Sequence, residues 1–230
     1  MPLSWMPRLG SRALRVLAIG AHADDIEIGC GGTMLTWLDD GPPLDVTWVV
    51  WGAVGAREQE ARRSADYFLQ RASRHHVIVH GFKDGYLPYE GGRIKDEFER
   101  LKLEVEPDIV FTHYRDDRHQ DHRVVSDLTW HTFRCHTILE YEVPKYDGDL
   151  GTPNVFVPLA REVCDAKVHG LLTYFPSQAA RPWFTSETFL GLARLRGIEA
   201  AASAEYAEAF YARKLRLEVA LHAPSSKAPL

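Results

Sequence analysis

Two short stretches of this 230-residue chain concentrate histidine and carboxylate side chains. The first runs Ala21-His22-Ala23-Asp24-Asp25-Ile26-Glu27 and continues through Gly29-Cys30-Gly31-Gly32-Thr33. The second runs from His113 to His122 and holds Asp116, Asp117, His119 and Asp121 between them. Imidazole and carboxylate are the ligands a zinc ion takes where thiolates are lacking, and three protein ligands with a fourth position open make a catalytic centre. The adjacent acids Asp24 and Asp25 suit a division of labour. In a tight turn one points at a metal and the other at the water to be activated. His119 and His122, three apart, fall on one side of a helix's first turn. Each stretch alone has a plainer reading, the first as a helix cap with acidic first-turn residues, the second as a solvated helix start. Finding both at equivalent strand ends favours a divalent metal site.

Those strand ends come from the hydrophobic pattern. Leu14 to Ile19 is a short apolar run closed by Gly20, and Asp45 to Trp51 is a second, closed by Gly52. Val77-Ile78-Val79, Asp108 to Thr112 and Ile138 to Val143 continue the series. Between them, Ala61, Ala65, Phe68 and Leu69 share one helical face, as do Ile94, Phe98, Leu101 and Val105 before Pro107. Phe189, Leu192 and Ala193 give a shorter one. This alternation predicts an α/β fold: a single Rossmann-like open, mostly parallel sheet with helices on both faces. Ligands in such sheets bind beyond the carboxyl ends of the strands, where both clusters lie. Residues 144–158, with three prolines and several glycines, read as a loop region.

Composition narrows the function. Lys and Arg number 27 against 32 Asp and Glu, a net charge of −5, which argues against a nucleic-acid or anionic-membrane surface. Three scattered cysteines make neither a disulfide frame nor a thiolate zinc cage. No apolar run reaches the roughly 18 residues that span a bilayer. Residues 1–12 read as a leader too weak for a signal peptide, 13–215 as one catalytic domain and 216–230 as a tail, in a cytoplasmic protein. A Rossmann nucleotide site is the main rival, since Gly29-Cys30-Gly31-Gly32 follows the first strand. It lacks G-x-G-x-x-G spacing and an acid ending the second strand, Val50-Trp51-Gly52. A metal-binding module without catalysis is the other alternative.

The two stretches resemble the signature of the PIG-L/LmbE-like family of zinc-dependent de-N-acetylases, A-H-P-D-D-x-E then G-x-G-G-T, and H-x-x-x-D-x-H-x-D-H. Lesser marks agree: Arg57 with Glu60, Phe82 to Leu87 as F-x-D-G-x-L, Ser177-Gln178, and Tyr206 to Phe210 as Y-A-E-A-F. Ala23 and Gln120 stand where the family has proline. Neither position supplies a ligand, so the departure touches turn rigidity and the pocket rim.

The resemblance implies a hydrolase that removes an N-acetyl group from an amino-sugar saccharide, nucleotide sugar or sugar conjugate, with metal-bound water attacking the amide carbonyl. It implies Zn2+ (or Fe2+ or Co2+) held by His22, Asp25 and His122, with Asp24 as general base. His119 would stabilise the oxyanion or protonate the amine, oriented by Asp121 or Asp117. Arg57 is read as reaching a substrate hydroxyl or the departing acetate, against a plain ion pair with Glu60. His113 is read as lining the pocket, against a strand-end histidine satisfied by backbone. Asp84 is read as touching sugar, against an ordinary turn. The expected partners are a small amino-sugar substrate and further copies of the same chain, with no nucleic acid and no membrane span.

Overall fold

In the computed structural model, residues 12–215 are described, and the tail and all of the leader but Arg12 lie outside them. Arg12 is fastened to the domain, its guanidinium gripping Asp108 at 2.6 and 2.9 Å. The elements follow as β1 (Leu14–His22), α1 (Asp25–Asp40), β2 (Leu44–Gly52), α2 (Ala56–Phe68), β3 (Arg74–Val79), α3 (Gly91–Glu104), β4 (Ile109–His113) and α4 (Gln120–Phe133). After them come β5 (Thr137–Tyr141), β6 (Val155–Leu159), α5 (Arg161–Tyr174), α6 (Ser186–Glu199) and β7 (Tyr206–Tyr211).

One seven-stranded sheet has the order β3-β2-β1-β4-β5-β7-β6. The five strands from β3 to β5 are parallel, while β7 runs antiparallel to both β5 and β6. The mostly parallel α/β sheet read from the sequence is therefore present, with an antiparallel edge that the apolar pattern does not announce. Residues 155–159 lie largely in the stretch whose prolines suggest a loop, yet they form edge strand β6. Pro158 is tolerated there because a strand edge needs no donor on its open side.

Side chains alternate along the central strands. Val16, Ala18, Val46, Trp48 and Val50 face a core shared with Ile26, Phe68, Leu171 and Phe189. Leu17, Ile19, Val49 and Trp51 face a second core, against Ile94, Phe98, Val125 and Phe133. Burying both faces requires near-continuous apolar strands, which is the pattern of β1 and β2.

The glycines after β1 form no phosphate turn. They lie inside α1, where backbone must approach neighbours closely. A Cβ at Gly29 would stand 2.1 Å from the Tyr141 ring, and one at Gly31 would stand 2.8 Å from Phe68. At Gly32 it would meet Leu159 at 2.6 Å and the Glu208 carboxylate at 2.9 Å. Glu208 accepts from the N–H groups of Gly32 (2.7 Å) and Thr33 (2.6 Å), within the helix. Lys167 donates to Glu208 and to the carbonyl of Ile28, both at 2.6 Å, so a buried ion pair bonds backbone groups of α1 through both of its members. The nucleotide-binding alternative loses its loop, and Glu208 of Y-A-E-A-F acquires a structural purpose.

Removing one partner of such a pair leaves a buried charge uncompensated. Glu208→Ala should lower stability by about 3–5 kcal/mol, read from the urea midpoint, and Glu208→Ala/Lys167→Met should recover part of the loss.

Candidate active site

Strand order reverses at β1, which pairs with β2 on one side and β4 on the other. The crevice beyond the carboxyl ends of β1 and β4 is therefore the switch point of the sheet. His22 ends β1, His113 ends β4, and the starts of α1 and α4 bring Asp24, Asp25, His119, Asp121 and His122 to the same place.

His22, Asp25 and His122 converge. Nδ1 of His22 lies 3.2 Å from Nε2 of His122 and 3.3 Å from Oδ2 of Asp25, and Nε2 of His122 lies 3.5 Å from Oδ1 of Asp25. Ligand atoms about 2.0–2.2 Å from a tetrahedral ion stand about 3.3–3.6 Å apart, so the separations fit one divalent cation. Hydrogen bonding shows which atoms are free. Nε2 of His22 is 3.1 Å from both Asp121 Oδ2 and Asp84 Oδ1, and Nδ1 of His122 is 2.9 Å from Asp117 Oδ2. Each imidazole thus spends one N–H on a carboxylate and turns its other nitrogen inward.

Other donor sets lie nearby: His22, His119 and His122; Asp25, His113 and His122; His22, Asp84 and Asp121, each with donor atoms within 4.8 Å of one another. In the second and third of them a donor atom already holds backbone groups. Nε2 of His113 accepts from the backbone N–H of Ala21 at 2.9 Å, and Asp121 also accepts from Gly85 N (2.7 Å) and Leu87 N (3.2 Å).

The electrostatics favour added positive charge. Burial disfavours protonating His22, yet Asp25, Asp121 and Asp84 outweigh it and raise its pKa well above that of an ordinary imidazole. Burial and then His113 push His122 down to about 3, so it stays neutral. Burial likewise keeps Glu27 neutral, with its pKa pushed up to about 8 and neither oxygen hydrogen-bonded. Asp25, by contrast, is held well below the ordinary carboxylate range despite its burial.

Asp24 occupies the N-cap position of α1, but its side chain makes no capping bond. Its Oδ1 instead receives Nη2 of Arg57 at 2.6 Å. Burial raises the Asp24 pKa, Arg57 opposes that, and Asp25 adds to it. Arg57 also donates to Glu60 (3.1 Å) and Ser177 (3.2 Å), and Glu60 in turn accepts from the N–H and hydroxyl of Ser177. The Glu60 pair is present as the plainer reading has it, while the Asp24 pair is not legible in the sequence.

Three expectations need correcting. His113 does not line the pocket: it is wholly buried and stacked 3.9 Å from the His122 ring, its Nε2 near the Ala21 N–H (2.9 Å) and Asp25 Oδ2 (3.2 Å) and its Nδ1 without a partner among the described residues. Neither carboxylate orients the His119 ring, since Asp121 holds His22 and Asp117 holds His122. His119 is the N-cap of α4, its Nδ1 accepting from the backbone N–H of Asp121 at 3.3 Å. Burial, then His22, lower its pKa, so it is neutral with its proton on Nε2. Third, Asp25 is already helical, so the paired acids diverge at a helix start rather than in a tight turn.

Asp84 stands at the mouth beside His22, its side chain 76% exposed. Of the aromatics near the site, Tyr114 packs on Tyr211 at 3.8 Å and Trp183 packs on Phe184, while Tyr146 is exposed. Lys145 is a site residue that residue types and spacing do not single out. Its buried ammonium, in the segment after β5, bonds Asp117 (2.9 Å) and Asp149 (2.6 Å) and so fixes the carboxylate that holds His122. The carboxyl end of β5 is the one signal pointing there.

Comparison with known proteins agrees with this geometry. The family described as PIG-L, GlcNAc-PI de-N-acetylase, matches residues 17–133. An uncharacterized deacetylase of Escherichia coli strain K12, YaiS, is 30% identical over 169 residues, covering 68% of this chain and 88% of that protein. Three solved structures share the fold. They are the conserved protein TT1542 of Thermus thermophilus (TM-score 0.68, 23% identity, 94% and 100% of the two chains) and the N,N'-diacetylchitobiose deacetylase of Pyrococcus horikoshii (0.67, 22%, 86% and 83%). The third is GalB of Pseudomonas putida, a 4-carboxy-2-hydroxymuconate hydratase (0.66, 18%, 90% and 99%). The likeness to a hydratase shows that the fold alone does not choose the reaction. The family match and the identity to the E. coli deacetylase do narrow it: this chain belongs to the PIG-L family of de-N-acetylases.

Proposed function

We propose that this protein is a zinc-dependent hydrolase that removes the N-acetyl group from an amino-sugar substrate, releasing acetate and a free amine. The observation that carries this reading is the convergence of His22 Nδ1, His122 Nε2 and the Asp25 carboxylate at 3.2–3.5 Å, beside a second buried acid tied to an arginine. His22, Asp25 and His122 would hold the ion. Bound there, a divalent cation supplies Lewis acidity to the amide carbonyl and brings the pKa of water down to about 7.

The remaining steps belong to the chain. Asp24, kept aimed by Arg57, takes a proton from the attacking water and passes it to the nitrogen as the C–N bond breaks. His119, neutral and with its proton on Nε2, donates to the oxygen that gains charge in the tetrahedral state. Asp121 and Asp117 are positioning residues that fix the tautomers of His22 and His122. Asp84 at the mouth receives a substrate hydroxyl, and Arg57, beside Asp24, reaches a substrate hydroxyl or the departing acetate. The diacetylchitobiose activity named for the Pyrococcus structure supports an amino-sugar substrate. No helix among the described residues is long and apolar enough to cross a membrane. The cysteines Cys30, Cys135 and Cys164 are all free, which supports a reducing, cytoplasmic setting.

Acetate release should be detectable in a screen of N-acetylated sugars, vanish on chelation and return with zinc. Activity that survives complete chelation sinks the metal mechanism. Asp24→Asn should retain metal while kcat falls about 100- to 10,000-fold. A wild-type rate in that variant removes Asp24 as the base. Lys145→Met should weaken zinc binding about 10- to 100-fold in a competition with a chromophoric chelator. The raised proton affinity of His22 sets the sign of a further effect: metal must displace that proton, so apparent affinity should rise with pH.

A further inference from the structure

Gln120 is the first residue of α4 and stands where the family pattern has proline. Proline fits the first position of a helix, but it carries no side-chain donor. Gln120 does: its Nε2 donates to the carbonyl of Gly85, in the segment between β3 and α3 that carries Asp84. Gly85 has φ +78°, a conformation open to glycine at no steric cost, and a chain that turns on glycine has little stiffness of its own. Its two peptide groups are gripped by consecutive residues of one helix. The N–H goes to Asp121 Oδ2 at 2.7 Å and the C=O to Gln120, while Leu87 N–H adds a bond to Asp121 Oδ1. The first of those peptides begins at Asp84, whose Oδ1 is 3.1 Å from His22 Nε2. Asp24, Asp25 and Asp121 are buried, so Asp84 is the carboxylate of the cluster most open to solvent.

We propose that Gln120 is a positioning residue that sets substrate specificity, clamping the Gly85 peptide so that Asp84 is preorganised to accept a hydroxyl of the sugar. This rests on the function proposed above. Asp121 alone does not do the same work, because it takes only N–H groups and must also serve His22. With proline at this position the Gly85 carbonyl would be left to water, and Asp84 would sample more positions. Preorganisation of a group at the mouth acts on binding of the saccharide and leaves bond cleavage at the buried acids unchanged.

The full chain carrying Gln120→Ala or Gln120→Pro tests this in three ways. Amide hydrogen exchange at Gly85 and Leu87 should quicken about 3- to 10-fold, the worth of one neutral hydrogen bond, and KM for diacetylchitobiose should rise by a similar factor. Both kcat and zinc affinity should hold, because Asp121 Oδ2 keeps its place on His22 Nε2 when Asp84 loosens. In an Asp84→Ala background, Gln120→Ala should raise KM no further, since both changes act through one contact. Unchanged exchange, an unchanged KM, or additive KM effects overturn the proposal. So does a joint fall in kcat and zinc affinity, which would mean that Gln120 acts through Asp121 and His22. If the wild-type protein cleaves no acetylated sugar, the proposed function fails, and the exchange measurement still decides whether Gln120 holds the segment.

Discussion

Two imidazole nitrogens and a carboxylate, all electron-rich, face one another at 3.2–3.5 Å in a buried place. Donor atoms gathered this closely call for positive charge among them, which the raised pKa of His22 reflects, and most of the surroundings aim them at one point. Asp121 and Asp117 take the outer N–H of each ring, and Lys145 neutralises Asp117. Asp25 is pinned by the backbone N–H of His22 at 2.6 Å. The candidate site is assembled largely from β1, α1 and α4, each anchored in the apolar cores.

The sheet makes that convergence available. In a parallel arrangement the carboxyl ends of β1 and β4 are neighbours with their following helices on opposite faces, so a gap opens between them. The glycines of α1 then let this helix lie against Tyr141, whose hydroxyl bonds the carbonyl of Ile19 at 2.7 Å. Close packing beneath the site and charge pairing above it are two parts of one design. A loose α1 would carry Asp24 and Asp25 out of register with His122.

The same buried acids divide their labour through their partners. Asp25 is surrounded by His122, His113 and His22, which together outweigh burial and hold its pKa well below the ordinary carboxylate range. Asp24, one residue earlier, has Arg57 as its main positive neighbour and keeps a raised pKa. Adjacent residues of one type thus acquire opposite pKa shifts, through environment alone.

Much of this was legible in residue order. Alternating apolar runs determined a mostly parallel α/β sheet, and the two His/Asp stretches at strand ends marked the residues that the structure brings together. Local spacing carries such information because a strand end or a first helical turn sets directions within a few residues. The antiparallel strands β6 and β7, the Asp24–Arg57 pair, the Lys145–Asp117 pair and the burial of His113 were not legible. Each joins residues far apart along the chain, and a prolyl segment such as 155–159 becomes a strand only when β7 arrives to pair with it. His113 and His22 look alike in sequence, both histidines at the end of a strand. Packing alone decided that one is sealed under the His122 ring while the other turns a nitrogen to the cleft, because exposure is a property of neighbours brought together by folding.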